Sequence, residues 1–224
     1  MKIINRDSLL SVIEDGMTIM IGGFMTVGAP TKLLEIIADS GVKNLTIICN
    51  DTGFKKENDH SALGVGHLIQ KGCVKKVIAS HIGLNPDTGK QMMAGELEVE
   101  LSPQGTLIER IHAGGAGLGG VLTPTGLGTI VAENKEVVII DEKEYLLETP
   151  LKADVALLKA HKADTMGNLT YHQTARNFNP EMALAAKIVI AEVDEIVAPH
   201  VFSPEEIITP FILVDKLYKW EEAK

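Results

Sequence analysis

A glycine-rich loop is the part of this chain best suited to bring bare backbone up to a ligand. The apolar run Ile19–Ile21 leads into the loop 22–28, which holds three glycines, and Pro30 then precedes an amphipathic stretch. Because glycine has no Cβ, backbone N–H groups of such a loop can face a phosphate or a thioester at close range. The N-terminus of the following helix favours the same kind of ligand. The alternative is an ordinary tight turn between a strand and a helix.

The spacing of the glycines excludes two common nucleotide sites. The dinucleotide fingerprint requires G-x-G-x-x-G, and a P-loop requires Lys-Ser/Thr after its last glycine. Neither occurs at this loop, which instead reads Gly-Gly-Phe, three residues, Gly, one residue, Pro. We call residues 22–28 the glycine loop.

Gln104 is the single side chain best placed to stabilise a developing negative charge. Its amide offers two N–H donors without bringing a charge of its own. It follows the apolar strand predicted over 97–101 and stands between Pro103 and Gly105. Parallel sheets hold their ligands at the carboxyl ends of strands, where this position falls. The alternative is an amide that only caps its loop.

The order of apolar and helical segments predicts an α/β fold with a mainly parallel sheet and crossover helices. Strands are predicted over 18–21, 45–49, 77–79, 97–101, 154–160 and 187–192, and an excursion near 137–148 reads as a β-hairpin with a charged tip. Residues 114–120 hold five glycines and are predicted not to form a stable helix. We expect a single domain over 1–224, because this length suits one substantial α/β domain.

Composition argues against several other classes of protein. The 21 Lys and Arg against 30 Asp and Glu give a net charge of −9, which does not favour a nucleic-acid partner. The two cysteines, Cys49 and Cys73, lie in apolar surroundings and are expected to be free thiols. No zinc-binding spacing, basic leader or long apolar span is present, so we expect no metal, no membrane contact and a cytoplasmic protein.

Several motifs, met in order along the chain, resemble the α (A) subunits of the family I coenzyme A transferases. They are the glycine-loop signature, Ser-Pro-Gln-Gly-Thr at 102–106, Thr-Pro-Thr-Gly at 123–126 and Ala-Arg-Asn-Phe-Asn-Pro at 175–180. The resemblance extends from about residue 10 to about residue 215. It implies the open α/β fold of that family and the transfer of CoA between carboxylic acids. Acyl-CoA is then the substrate, and no cofactor is held permanently.

The resemblance also implies a site shared between two chains. In this family the attacking glutamate lies in a Ser-Glu-Asn-Gly context on the β subunit and carries CoA as a glutamyl thioester. This chain has no Ser-Glu, so a homologous β subunit is expected to supply the nucleophile, in an α2β2 assembly. By the same resemblance Gln104 contributes to the oxyanion hole. The expected CoA contacts are Gly22, Gly23, Phe24, Met25, Thr26, Val27 and Gly28.

The substrates implied are short-chain acids of the acetate, butyrate and acetoacetate type. An enzyme of the 3-oxoadipate or succinate type and a non-catalytic CoA-binding module are the alternatives. A sugar-phosphate isomerase or deaminase of similar architecture would need a proton shuttle and a tight phosphate nest, which the motifs do not suggest.

Other polar residues carry weaker expectations. Asn50 ends a predicted strand and could orient the thioester, or else form an Asx turn. Arg110 and Arg176 could meet a phosphate or carboxylate, although an ion pair that holds the fold is the preferred interpretation. Transfer through a carboxylate requires no histidine base, so the histidines are expected to be structural. This expectation covers four of the seven histidines, namely His81, His112, His161 and His172. Phe211 replaces a glycine usual in the family near the C-terminus.

Overall fold

The computed structural model describes residues 2–56, 58 and 61–220. Its helices are α1 (Arg6–Leu10), α2 (Thr31–Ala38), α3 (Val65–Gln70), α4 (Pro86–Met93), α5 (Gln104–Ala116) and α6 (Asn179–Leu184). Its first strands are β1 (Thr18–Ile21), β2 (Leu45–Asp51), β3 (Phe54–Lys55), β4 (Ala62–Leu63), β5 (Val74–His81), β6 (Glu98–Leu101) and β7 (Val121–Thr123). The others are β8 (Val137–Ile140), β9 (Lys143–Glu148), β10 (Ala153–Asp164), β11 (Leu169–Thr170), β12 (Ala186–Val197) and β13 (Lys216–Lys219). The single domain expected over 1–224 includes Met1 and residues 221–224, which lie outside the described residues.

Within the described residues, a central sheet has the strand order β13-β12-β10-β1-β2-β5-β6. Each neighbouring pair in this order is parallel, and the short β11 pairs antiparallel with β10. The prediction of an α/β fold with a mainly parallel sheet is therefore confirmed.

Both faces of this sheet are covered by helices, which explains the continuous apolar runs of its central strands. Ile19 and Ile21 of β1 belong to a hydrophobic cluster that includes residues of α2 and α3. Met20, between them, belongs to a second cluster, which includes residues of α5 and α6. Alternate side chains of one strand thus fill two cores, as the two-residue period of a strand requires.

Because the central strands are parallel, their carboxyl ends meet at one edge of the sheet. We call it the carboxyl edge. The glycine loop follows β1, Asp51 ends β2, His81 ends β5, and Gln104 follows β6 by three residues. The sequence elements singled out for chemistry therefore share one edge.

Two strands continue past this edge. β1 pairs with residues 155–157 of β10, whereas β10 stays paired with β12 as far as Asp164 and Val197. Seven residues of β10 beyond Leu157 extend roughly 23 Å at the rise of a strand. They form a ribbon that stands beside the glycine loop.

The predicted hairpin near 137–148 is confirmed. β8 and β9 pair antiparallel, and β7 adds a third strand on the other side of β9. Arg110 of α5 ties this small sheet to the main one, since its guanidinium contacts Glu100 at 2.9 Å and Glu148 at 3.8 Å. For Arg110 the preferred interpretation, an ion pair that holds the fold, is correct.

The prediction that residues 114–120 are not helical is wrong for its first part. α5 continues through Gly114 and Gly115 to Ala116, and only Gly117, at φ 72°, ends it in the left-handed region. A Cβ on Gly114 would lie 1.8 Å from the carbonyl oxygen of Leu151, and one on Gly115 would lie 2.6 Å from the Cβ of Leu184. These glycines allow close packing of α5, and that gain outweighs their poor helix propensity.

We expect Gly114→Ala to destabilise the chain because the new methyl group would meet a backbone carbonyl. Overpacking of this kind costs about 1–3 kcal/mol, and a backbone neighbour places it at the upper end. Gly89→Ala in α4 is the matched control, since a Cβ there meets nothing within 4 Å. It should leave stability unchanged or raise it by up to about 1 kcal/mol. Denaturant unfolding measures both, and equal free energies of unfolding for the two variants would contradict the packing argument.

Candidate functional site

The glycine loop turns back on itself between Phe24 and Val27. The N–H of each of these residues donates to the carbonyl oxygen of the other, with N···O distances of 3.0 Å. Met25 and Thr26 between them have positive φ angles of 46° and 72°. Two positive φ angles in succession are typical of a type I′ turn, which glycine and asparagine adopt most readily. A methionine and a β-branched threonine there store strain, and such strain is concentrated at functional sites.

The carboxylate of Asp51 holds this turn against the end of β2. Its Oδ2 accepts from the N–H of Met25 at 2.8 Å, and its Oδ1 accepts from the N–H of Gly53 at 2.9 Å. The side chain is 7% exposed. Asp51 therefore fixes the orientation of the strained turn relative to the sheet.

Asn50 supports Asp51 and does not form the Asx turn that was its alternative interpretation. Its Nδ2 donates to Asp51 Oδ2 at 2.8 Å, and its Oδ1 accepts from Ser80 Oγ at 3.1 Å. The side chain is buried. Asn50 thus lies directly behind the glycine loop, and its orientation of a thioester stays a prediction.

The glycine loop also packs against residues 175–180, which we call the asparagine segment. Asn179 is fully buried, and its Oδ1 accepts from the N–H of Lys159 at 3.0 Å. Its Nδ2 donates to the carbonyl oxygen of Gly28 at 3.1 Å. A Cβ on Gly22 would lie 1.9 Å from Asn179 Oδ1. Only glycine fits at position 22, and the reason is this amide from a distant part of the chain.

The helix that follows the glycine loop does not offer a free anion site, contrary to the sequence argument. Glu192 Oε2 accepts from the N–H groups of Lys32 and Leu33, in the first turn of α2, at 2.8 and 3.1 Å. The pKa of the Glu192 carboxyl is raised above its ordinary value, because the effect of burial is larger than the opposing effects of the Lys159 ammonium and those two N–H groups. An internal carboxylate thus already uses the positive end of this helix.

The first turn of α5, by contrast, has unused donors. Gln104 is its first residue, and its side chain is exposed. Within the described residues, the N–H groups of Gln104, Gly105 and Thr106 have no hydrogen-bond partner, and no side chain caps the helix. Exposed N–H groups and the helix dipole favour negative charge at this point.

The glycine loop and Gln104 are separated along the carboxyl edge by the strands β2 and β5. Three strand spacings of about 4.8 Å place the end of β1 roughly 14 Å from the end of β6. The site is therefore an extended edge on which no single atom of a ligand contacts both elements.

A cavity of about 220 Å³ lies beside the first turn of α5. It is lined by Gly105, Thr106, Glu109 and the strand and turn at 121–125. Nearer the middle of the edge, after β1, Phe24, Met25 and Val27 expose their apolar side chains at the tip of the glycine loop. The edge thus combines polar donors, a small cavity and an apolar tip.

The histidines occupy different places. His81 is exposed at the end of β5, and His112 lies 3.4 Å from Glu109 on α5. His161 and His172 come together on the ribbon, with ring centroids 5.4 Å apart. That they are structural stays a prediction.

Two residues singled out for their charge or size also differ in setting. Arg176 is exposed and forms no ion pair with another described residue. For Arg176, the preferred interpretation of an ion pair that holds the fold is therefore wrong among the described residues. Phe211 lies under the Lys2 ammonium, 5.4 Å from its ring centroid. It belongs to the surface near the N-terminus and not to the carboxyl edge.

Four residues that position the site were not singled out as site residues from sequence: Asp51, Asn177, Asn179 and Glu192. Each acts on backbone far from it along the chain, so local pattern gives no partner for it. A signal was present for Glu192, since an acid within an apolar strand must be paired when it is buried. The asparagines lie within the motif at 175–180, whose residue types do not show which backbone groups they bind.

Comparison with known proteins identifies relatives over the whole chain. Residues 5–219 match the family described as coenzyme A transferase. The chain is 52% identical over 223 residues to the acetate CoA-transferase subunit alpha of Escherichia coli strain K12, covering 100% of this chain and 99% of that protein. It is 53% identical over 218 residues to the acetoacetyl-CoA:acetate/butyrate CoA transferase alpha subunit of Clostridium acetobutylicum, covering 97% of each.

The fold has a counterpart among solved structures. An acyl-CoA transferase from E. coli O157:H7, crystallised as a thioester complex with CoA, superposes with a TM-score of 0.85 at 23% sequence identity. The superposition covers 97% of this chain and 46% of that one, so this chain spans about half the length of that protein. Separately, no helix among the described residues has the length and apolar character needed to cross a bilayer.

Proposed function

The chain belongs to the coenzyme A transferase family as an α subunit, and we propose that it transfers CoA between short-chain carboxylic acids together with a homologous β subunit. One observation carries this proposal furthest. The open first turn of α5, which begins with Gln104, shares the carboxyl edge with a strained glycine loop. Free donors after β6 and bare backbone after β1, three strands away, suit a long, anionic thioester.

The nucleophile comes from the partner. The buried carboxylates near the edge are already used to hold this chain together: Asp51 accepts from Met25 and Gly53, and Glu192 caps α2. Because backbone N–H groups hold their oxygens, neither side chain is free to reach a thioester carbonyl. A glutamate of the β subunit fits the role, as the sequence resemblance implies.

The reaction then proceeds in balanced steps. The partner's glutamate attacks the thioester carbonyl, and the C–S bond breaks to release CoA thiolate and leave a mixed anhydride. The thiolate attacks the glutamyl carbonyl of the anhydride, which gives glutamyl–CoA and releases the first carboxylate. A second carboxylate reverses the sequence, so one thioester replaces another.

Gln104 stabilises the oxyanion that forms at each attack. Its side-chain amide is exposed at the first position of α5, and the neighbouring N–H groups add positive potential. Donors aimed at a developing negative charge lower the barrier more than they improve ground-state binding. The glycine loop contacts the CoA moiety through residues 22–28.

The acids exchanged are short. Two relatives, 52% and 53% identical to this chain, are named for acetate, butyrate and acetoacetate. A cavity of about 220 Å³ beside α5 is consistent with an acyl group of a few carbons. The α2β2 stoichiometry and a cytoplasmic location stay predictions.

Mixing experiments test the shared site. We expect the purified chain alone to show no exchange between acetyl-CoA and acetoacetate or butyrate, and the complex with its β subunit to show it. Mass spectrometry of the complex incubated with acyl-CoA should find the CoA adduct on a β-subunit glutamate. Light scattering on the same sample measures the stoichiometry. Substantial exchange by this chain alone, or an adduct on it, would contradict the proposal.

Gln104→Ala should lower kcat of the complex by about 100-fold, the loss typical of one oxyanion donor. Gln104→Glu is the sharper variant, since it keeps the size of the side chain but replaces both donors with a carboxylate. It should be at least as slow.

Gln91→Ala is the matched control, because Gln91 lies within α4 and, among the described residues, its side-chain amide donates only to the carbonyl of Ile69. Steady-state rates at saturating acyl-CoA measure all three variants. Equal kcat values for Gln104→Ala and the control would exclude the oxyanion role.

A further inference from the structure

Asn177 joins the two ends of the turn in the glycine loop. Its Oδ1 accepts from the N–H of Gly23 at 3.1 Å, and its Nδ2 donates to the carbonyl oxygen of Val27 at 2.9 Å. Gly23 precedes Phe24, and Val27 ends the turn. One side-chain amide therefore pairs the N–H of Gly23 and adds a second hydrogen bond to the carbonyl of Val27, which also accepts from the N–H of Phe24.

The same amide is fixed within its own segment. Its Oδ1 also accepts from the N–H of Phe178 at 2.7 Å, and its Nδ2 also donates to the carbonyl of Thr174 at 3.2 Å. Asn179 Nδ2 also donates to the same Oδ1 at 3.4 Å, and these hydrogen bonds together leave the Asn177 side chain little rotational freedom. Because this side chain is fixed, it holds the backbone groups of Gly23 and Val27 that it contacts in one position.

Close approach of the two segments depends on glycine at the far end of the loop. A Cβ on Gly28 would lie 2.4 Å from the carbonyl oxygen of Ala175 and 2.9 Å from Asn177 Nδ2. Behind it, Asn179 links Gly28 to the backbone of β10 through Lys159. The asparagine segment is therefore a bridge between the loop and the longest strand pair of the sheet.

Backbone conformation on both sides of this contact is unfavourable by itself. Met25 and Thr26 have positive φ, and so does Asn177, at 20°. Residues in such conformations persist only when surrounding contacts hold them. Loss of the Asn177 amide would let the turn relax toward conformations with negative φ.

We propose that Asn177 is a positioning residue, which holds the glycine loop in the conformation that receives acyl-CoA. This inference rests on the proposed function and adds to it the residue that sets the loop's shape. Asn177 acts through the backbone of Gly23 and Val27 and does not itself touch the reacting atoms. Its loss lowers the fraction of molecules that can bind, and the apparent affinity for acyl-CoA falls by that fraction.

Asn177→Gly is the variant of choice. Glycine tolerates the φ of 20°, so the change removes the side-chain bonds without adding backbone strain. Gln173→Gly is the matched control, because Gln173 lies four residues before Asn177, has a φ of 51° and is exposed. Asn177→Asp is the second variant, since it keeps the acceptor for Gly23 and loses the donor to Val27.

We expect kcat/KM for acyl-CoA to fall about tenfold in the Asn177→Gly complex, mainly through KM, which corresponds to the loss of about two hydrogen bonds between neutral groups. Asn177→Asp should fall at least as far, because a carboxylate oxygen would then face the carbonyl oxygens of Val27 and Thr174. Gln173→Gly should give the wild-type value. A role in stability alone would lower the melting temperature and leave KM unchanged.

Hydrogen exchange on the purified chain gives a second readout that needs no activity. The Gly23 amide should exchange about tenfold faster in Asn177→Gly, in line with the same loss of hydrogen bonds. It should keep wild-type protection in Gln173→Gly. Unchanged exchange at Gly23, or unchanged KM despite faster exchange, would overturn the inference. A wild-type complex that transfers no CoA would instead overturn the proposed function, and the exchange comparison would still decide whether Asn177 holds the loop.

Discussion

The contact between the buried Asn179 amide and Gly22 is the constraint on which the rest of the site depends. The carbonyl oxygen of this amide would lie 1.9 Å from any Cβ at position 22. Asn179 and the loop can therefore pack together only because residue 22 is glycine. The same amide bonds to the backbone of β10 and to Gly28. These bonds hold the glycine loop against the sheet. The tip of the loop, where Met25 and Thr26 have positive φ angles, faces outward.

Electrostatics along the carboxyl edge are divided between two helices. Glu192 uses the positive end of α2 to hold the fold, and its buried carboxylate is compensated by Lys159. The first turn of α5 keeps its donors free for a ligand within the described residues. Asp51 is likewise bonded to backbone N–H groups, so Asp51 and Glu192, the buried carboxylates beside the glycine loop, are both occupied. That division of roles gives a physical reason why a second polypeptide supplies the nucleophile.

Local pattern predicted the sheet, the hairpin at 137–148 and the shared edge, because strand period and glycine spacing are read within a few residues. It failed where contacts are long-range. Gly114 and Gly115 look like helix breakers until Leu151 and Leu184 are seen against them. In the same way, the α2 N-terminus looks like an anion site until Glu192, 160 residues from Lys32, is seen to fill it. Which residues pack together in this way depends on how the segments are arranged in space. The order of segments along the chain does not specify that arrangement.

A crystal structure of the complex with its β subunit, trapped as glutamyl–CoA, tests the central claim most directly. We expect the pantetheine arm to run along the carboxyl edge past the glycine loop, with Gln104 Nε2 about 3 Å from the carbonyl oxygen of the thioester. The bonded glutamate should belong to the partner chain. An arm that lies far from both elements, or a thioester formed on a residue of this chain, would contradict the account.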